Sequence, residues 1–168
     1  MAGDISTWVA KHDVLISGDN ILPFIAGETI YAGQVVGFAA TGVADTVVVM
    51  DMTADEHAVG IALFDASSGG MVSVASIGCV CNVTNATDNV AIETGDWVIQ
   101  DDASQKGSVK ALTVRADMAS TVLDTSNDTT LDATAYIVGL AIGDIAVSSY
   151  GPVLIMPYPL LYSDHAVV

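Results

Sequence analysis

The sequence predicts an all-β protein: a small β-barrel or sandwich of short antiparallel strands, entered by an extended N-terminal arm. Three observations carry this reading. Short β-branched runs recur from Gly27 onward, separated by Gly, Asp, Asn and Ser. Their spacing is too close for the intervening helices of a parallel α/β sheet. Of 168 residues, 52% are apolar and 14% charged, too apolar for disorder and enough for a sizeable core.

In chain order, residues 1–26 read as the arm. Its stretch from Ile5 to Val14 suits a helical turn or an extended segment, and the turn-like Ser17-Gly18-Asp19-Asn20 precedes an apolar anchor, Leu22-Pro23-Phe24. The barrel is expected over residues 27–160. Ile30-Tyr31 leads through Ala32-Gly33 to Gln34-Val35-Val36-Gly37-Phe38, and Thr46-Val47-Val48-Val49-Met50 follows a Gly/Asp turn. Ala58 to Phe64 and Met71 to Ile77 flank Ser67-Ser68-Gly69-Gly70, a hairpin signal. Gly78-Cys79-Val80-Cys81-Asn82-Val83 continues extended, and Asp96-Trp97-Val98-Ile99-Gln100 follows Thr94-Gly95. The one helical candidate is Ala86 to Ala91. A polar insertion at about residues 115–134 interrupts the barrel, Pro157-Tyr158-Pro159 is expected to end the strand pattern, and residues 161–168 form a tail.

One internal echo stands out. Ala58-Val59-Gly60-Ile61-Ala62-Leu63-Phe64-Asp65 resembles Ile137-Val138-Gly139-Leu140-Ala141-Ile142-Gly143-Asp144, and each copy runs through a Ser-containing turn into a second apolar strand. The expectation is two hairpins closing one small barrel from opposite sides. Glycine in mid-strand marks a bulge or a close backbone approach.

Four Lys and Arg against 20 Asp and Glu give a formal charge of −16. Nucleic-acid binding needs clustered cations, and a membrane-surface helix needs a basic face, so neither partner is expected. Scarce Lys with abundant Asp, Ala, Val and Thr resembles the composition of proteins from salt-loving archaea; in molar salt the self-repulsion is screened within about 3 Å. Cys79 and Cys81 share one face of a strand and read as two small apolar side chains turned to a core. The start, Met1-Ala2-Gly3-Asp4, lacks the apolar core of a secretion signal, and no run reaches the ~18 residues of a membrane span, so a soluble protein is expected.

No catalytic residue, cofactor site or metal site emerges, and the chain is read as a non-enzyme. His12, His57 and His165 lie apart and form no metal-spaced pair. Lys106-Gly107-Ser108 lacks the context of a phosphate loop. Asp101-Asp102 are adjacent carboxylates of the kind any acidic chain contains, and Asp124, Asn127, Asp128 and Asp132 do not match a calcium loop. Asn82, Asn85 and Asn127 begin N-x-T sequons. Trp8 and Trp97 could stack on sugars; Trp97, however, reads as an inward strand residue.

Three segments together carry a family resemblance: Ala32-Gly33-Gln34-Val35-Val36, then Ala58-Val59-Gly60-Ile61-Ala62 with its hairpin through Val74, then Gly95-Asp96-Trp97-Val98. Their order resembles the small β-barrel decoration proteins of tailed-virus heads, including the lambda-type head-stabilising protein. The resemblance covers about residues 27–156 and rests on Gly/Ala/Val hairpins. It implies a homotrimer, made in the host cytoplasm, that binds the major capsid protein on the outer surface of an icosahedral head and is located in the virion. Carried onto this chain, it makes Ile5, Trp8, Val9, Leu22 and Phe24 the candidate capsid contacts. The apolar tail residues Leu160, Leu161 and Tyr162 become candidate oligomer contacts. Two other readings remain open: another virion or surface-layer component (tail, fibre or turret), and a small carbohydrate-binding β module.

Overall fold

Valine-rich segments that alternate inward and outward form eleven strands in a computed structural model describing residues 13–38, 43–50, 57–86, 89–101, 105–112 and 135–160. The strands are β1 (Leu15–Ser17), β2 (Ile21–Ala26), β3 (Val35–Phe38), β4 (Thr46–Val49), β5 (His57–Ala62), β6 (Met71–Ala75), β7 (Val80–Asn85), β8 (Trp97–Gln100), β9 (Val109–Ala111), β10 (Ala135–Ala141) and β11 (Ser149–Leu160). The all-β expectation holds. The described residues between Ala86 and Ala91 carry no helix, contrary to the expected short one.

There are two barrels, not one. Strands β2-β4-β3-β5-β6 close the first. In the second, the row β7-β11-β10-β8-β9 closes on itself because β9 also pairs with β7, and β1 adds to β7 from outside the ring. Each ring has one parallel contact, β2 with β4 and β7 with β9; its other pairings are antiparallel.

The two rings share register as well as strand order. Val36 faces Gly60 and Val49 in barrel 1; Val98 faces Gly139 and Ala111 in barrel 2. Ile61 faces Ala75 as Leu140 faces Leu154. Both rings slip register at the same place, since Gly37 faces Ala58 and Ile99 faces Ile137. The slips leave Val59 and Val138 as bulged residues. A Cβ on Gly60 would run into the Ala75 carbonyl oxygen, and one on Gly139 into that of Leu154. Only glycine lets neighbouring backbones approach this closely. The echo in the sequence is therefore the visible part of a duplication, and each hairpin closes its own barrel rather than opposite sides of one.

The turns repeat too. Isolated bridges join Ile30 to Ala66 and Ile92 to Ile145. Gln34 Oε1 accepts the Tyr31 N–H at 2.7 Å, and Asp96 Oδ2 accepts the Glu93 N–H at 2.8 Å. Asp65 Oδ1 accepts the Ala32 N–H at 3.0 Å, and Asp144 Oδ1 the Thr94 N–H at 2.9 Å. Positive φ falls at Asp45 and Gly107, and at Gly69 and Ser148.

Two corrections concern the ends. From Asp13 on, the expected arm is built into the sheets: β1 pairs with β7, and β2 is a stave of barrel 1. Its outer residues, 1–12, lie outside the described residues. At the other end, β11 runs past Pro157 and Pro159 to Leu160. Beyond Ile155 its one pairing among the described residues is to β10, so a proline without an N–H is tolerated on the other side.

Candidate functional site

The described chemistry is that of packing. No group of three or more His, Cys, Asp or Glu side chains among the described residues is placed to hold a metal ion. Cys79 and Cys81 are fully buried in one core cluster, as the sequence predicts. Burial, then the neighbouring Cys79, pushes the Cys81 thiol up to about 12, so it stays protonated and inert. Asp101 is buried, where Asn89 Nδ2 donates to it at 2.7 Å and the Ser108 hydroxyl at 3.0 Å. That arrangement positions a loop. The Asp102 side of the pair and the Asp124–Asp132 group lie outside the described residues, as do His12 and His165.

Lys106-Gly107-Ser108 forms the joint between the barrels. Gly107 lies across the ends of β3 and β4: the Val35 N–H donates to its carbonyl at 2.9 Å, and its own N–H donates to the Met50 carbonyl at 2.8 Å. A Cβ there would sit 2.7 Å from Val49 Cγ1 and 2.9 Å from Gln34 Nε2, and φ is +86°. Backbone freedom and close approach both require glycine. Lys106 Nζ donates to Glu28 Oε1 at 2.9 Å, and the same oxygen accepts the Val49 N–H at 2.9 Å. This half-exposed ion pair contributes little by itself. Apolar burial carries the joint: Ala32, Val35, Met50, Ile61, Leu63 and Ala75 face out of barrel 1 into a core shared with barrel 2. Each fully buried large side chain contributes roughly 1.5–3 kcal/mol.

The same positions on barrel 2 are Thr94, Trp97, Leu112, Leu140, Ile142 and Leu154, by the register above. None is buried; Trp97 is 37% and Ile142 46% exposed. Trp97 therefore faces outward, opposite Leu140, and Val98 faces in. The expectation of an inward Trp97 fails because Trp97-Val98-Ile99-Gln100 has no period-2 alternation to orient it.

A second apolar patch lies on barrel 1, where Ile25 and Met71 are cross-strand partners on the outer face and Met71 is 75% exposed. Leu22 and Phe24 occupy the alternate positions, opposite Val74 and Val72, which line the barrel core. Leu22 is partly exposed; Phe24 packs on that core and meets Phe38 edge to face at 5.6 Å. Ile5, Trp8 and Val9 lie outside the described residues. Leu160 ends β11 in backbone terms, and Leu161 and Tyr162 lie beyond it.

Of the sequons, Asn85 is fully buried, and its Nδ2 donates to the Val90 carbonyl at 2.9 Å, so the folded chain presents no acceptor there. The half-buried Asn82 donates to the Asp13 carbonyl at 2.7 Å. Asn127 lies outside the described residues.

No family model matches the chain, and no curated protein does. Among solved structures, it is similar to the N base of the head fibre protein gp8.5 of bacteriophage phi29, at 14% identity and a TM-score of 0.46, over 84% of this chain and 98% of that one. A likeness of this size is one of general shape and assigns no function.

Proposed function

We propose that the chain is a structural protein of a virus particle, a decoration or cement protein. In this reading it binds the major capsid protein on the outside of an icosahedral head as a homotrimer and stabilises the shell. It is made in the host cytoplasm and ends in the virion. The observation that carries the reading is the pair of outward apolar faces, Ile25–Met71 on barrel 1 and Trp97–Ile142 on barrel 2, on a small double barrel. Exposed apolar surface of this kind serves contact with other proteins, and the hairpin order that resembles head decoration proteins points to the same class. Ile5, Trp8, Val9, Leu22 and Phe24 are the proposed capsid contacts. Leu160, Leu161 and Tyr162 are the proposed trimer contacts. The test is addition of purified chain to undecorated heads, followed by imaging. Copies at the local three-fold axes and a raised shell-melting temperature support the proposal; absence of binding to matched heads at micromolar concentration rejects it.

One observation favours a second reading. Trp97 points outward and is 37% exposed, and carbohydrate-binding β modules stack sugars on outward aromatic side chains. Glycan-array binding that is lost in Trp97→Ala, with the fold intact, selects that reading over the first. A tail, fibre or turret position would be told apart by copy number on the particle.

A further inference from the structure

The joint between the barrels is a contact of one fold with itself, and each of its halves recurs once more, without a covering partner among the described residues. We infer that the open face of barrel 2 is the docking site for barrel 1 of a second copy of this chain, head to tail. The inference stands on the duplication and is independent of the virion reading.

The joint has a turn and a notch. The turn is Gln105 to Ser108, closed by the Ser108 N–H donating to the Gln105 carbonyl at 3.0 Å. Its counterpart on barrel 1 runs from Val43 to Thr46 and is closed by the same bond at 3.2 Å, with positive φ at Asp45 where the other has Gly107. This second turn is exposed: Val43 is 72% exposed, and Ala44 and Asp45 are exposed too.

The notch is the end of β3 and β4, where Gly107 bonds Val35 and Met50. On barrel 2 it corresponds to Trp97 and Leu112. The Leu112 N–H donates to the Trp97 carbonyl at 2.7 Å, as Met50 does to Val35 at 3.0 Å. Among the described backbone bonds outside the ladders, none is the counterpart of the two that Gly107 makes.

The substitutions between the two copies suit a joint between molecules. Where Lys106 pairs with Glu28 inside the chain, the free ends carry Ala44 and Val90, an apolar pair, and Val90 is 63% exposed. Val49, whose Cγ1 leaves no room for a Cβ on Gly107, becomes Ala111, and Gln34 becomes the shorter Asp96. That change makes space for Asp45, which has the Cβ that glycine lacks. Two features make the second joint weaker than the first. The Asp45 carbonyl already accepts the Ile25 N–H at 2.8 Å, and docking would bring the carboxylate of Asp45 toward that of Asp96 on the other copy. Association therefore strengthens with salt, which screens both this pair and the −16 charge of each copy. A heterologous contact closes as a ring or grows as a filament.

The test is sedimentation velocity of the full chain in 2 M NaCl, from 1 to 200 μM, with Val43→Glu, Trp97→Asp and Val90→Glu. Val43 and Val90 lie in exposed loops, so those two variants keep the wild-type melting temperature whatever Trp97→Asp does to β8. Wild type is expected to grow in mass with concentration, and each variant to associate at least tenfold more weakly. Val43→Glu keeps its notch and Val90→Glu its turn, so an equimolar mixture of these two forms a 1:1 dimer that neither forms alone. A wild type that stays monomeric throughout overturns the proposal, as does assembly of the variants at wild-type strength or a mixture that fails to pair.

Discussion

Barrels 1 and 2 follow one plan with different surroundings. Val35, Met50 and Ile61 are fully buried because barrel 2 covers them; Trp97, Leu112 and Leu140 hold the same register positions and are not. Strand order, the bulge glycines and the Asp-held turns come from the barrel itself. Burial of the outer face comes from what stands beside it. A position in this fold is thus core or surface according to its neighbour, and the comparison can be broken at several points.

The largest effect is expected where both barrels make the same demand. Gly60→Val and Gly139→Val each drive a side chain into a facing carbonyl, and each should destabilise by more than about 3 kcal/mol in chemical denaturation. A large loss at one site and none at the other would break the equivalence of the bulges.

Next comes the pair that separates the barrels. Met50→Ala removes a fully buried side chain and should cost about 2–4 kcal/mol, whereas Leu112→Ala in dilute protein should cost about 1 kcal/mol or less. Equal losses would mean that the outer face of barrel 2 is already covered within one molecule.

A smaller contrast lies in the turns. Gly107→Ala places a Cβ against Val49 and Gln34 at positive φ and should lower stability by about 1–3 kcal/mol. Asp45→Gly relieves a positive φ at an exposed site and should change stability by under about 1 kcal/mol. The ratio of the two reads how much the joint adds to the turn.

The smallest effect concerns pH. The Thr94 hydroxyl, which donates to Asp144 Oδ1 at 2.7 Å, and then the Thr94 N–H hold the Asp144 carboxyl below its ordinary range. Because the folded-state value is depressed, this contribution is complete above the unfolded-state pKa near 4 and is lost as pH falls through the folded one. Thr94→Val should raise the Asp144 pKa in an NMR titration, and any stability gap from wild type should close at low pH.

Much of the strand layout was legible because β-branched runs and Gly/Ser turns are local signals. Val35 to Phe38, Met71 to Ala75 and the core-facing Cys79 and Cys81 needed no long-range information. The two-barrel plan was visible only through its most constrained stretch, the Gly60 and Gly139 hairpins, because a Cβ is excluded there in both copies. Elsewhere the copies need agree only in being apolar, and Ala66 and Ile145 serve as well as each other. The interaction surfaces were less legible. Leu22 and Phe24 stood out as an apolar anchor, yet alternation turns them toward the barrel 1 core and leaves Ile25 beside Met71 outside. Gly107 looked like an ordinary loop glycine, since its need is set by Val49 and Gln34, far away in sequence.

The account rests on one face being covered in barrel 1 and open in barrel 2, and amide hydrogen exchange read residue by residue in dilute, low-salt protein tests this most directly. The Val35 amide, bonded to Gly107 and buried, should exchange with the slowest core amides, and the Trp97 amide at the matching position at least a hundredfold faster. Equal, strong protection of the two would contradict it.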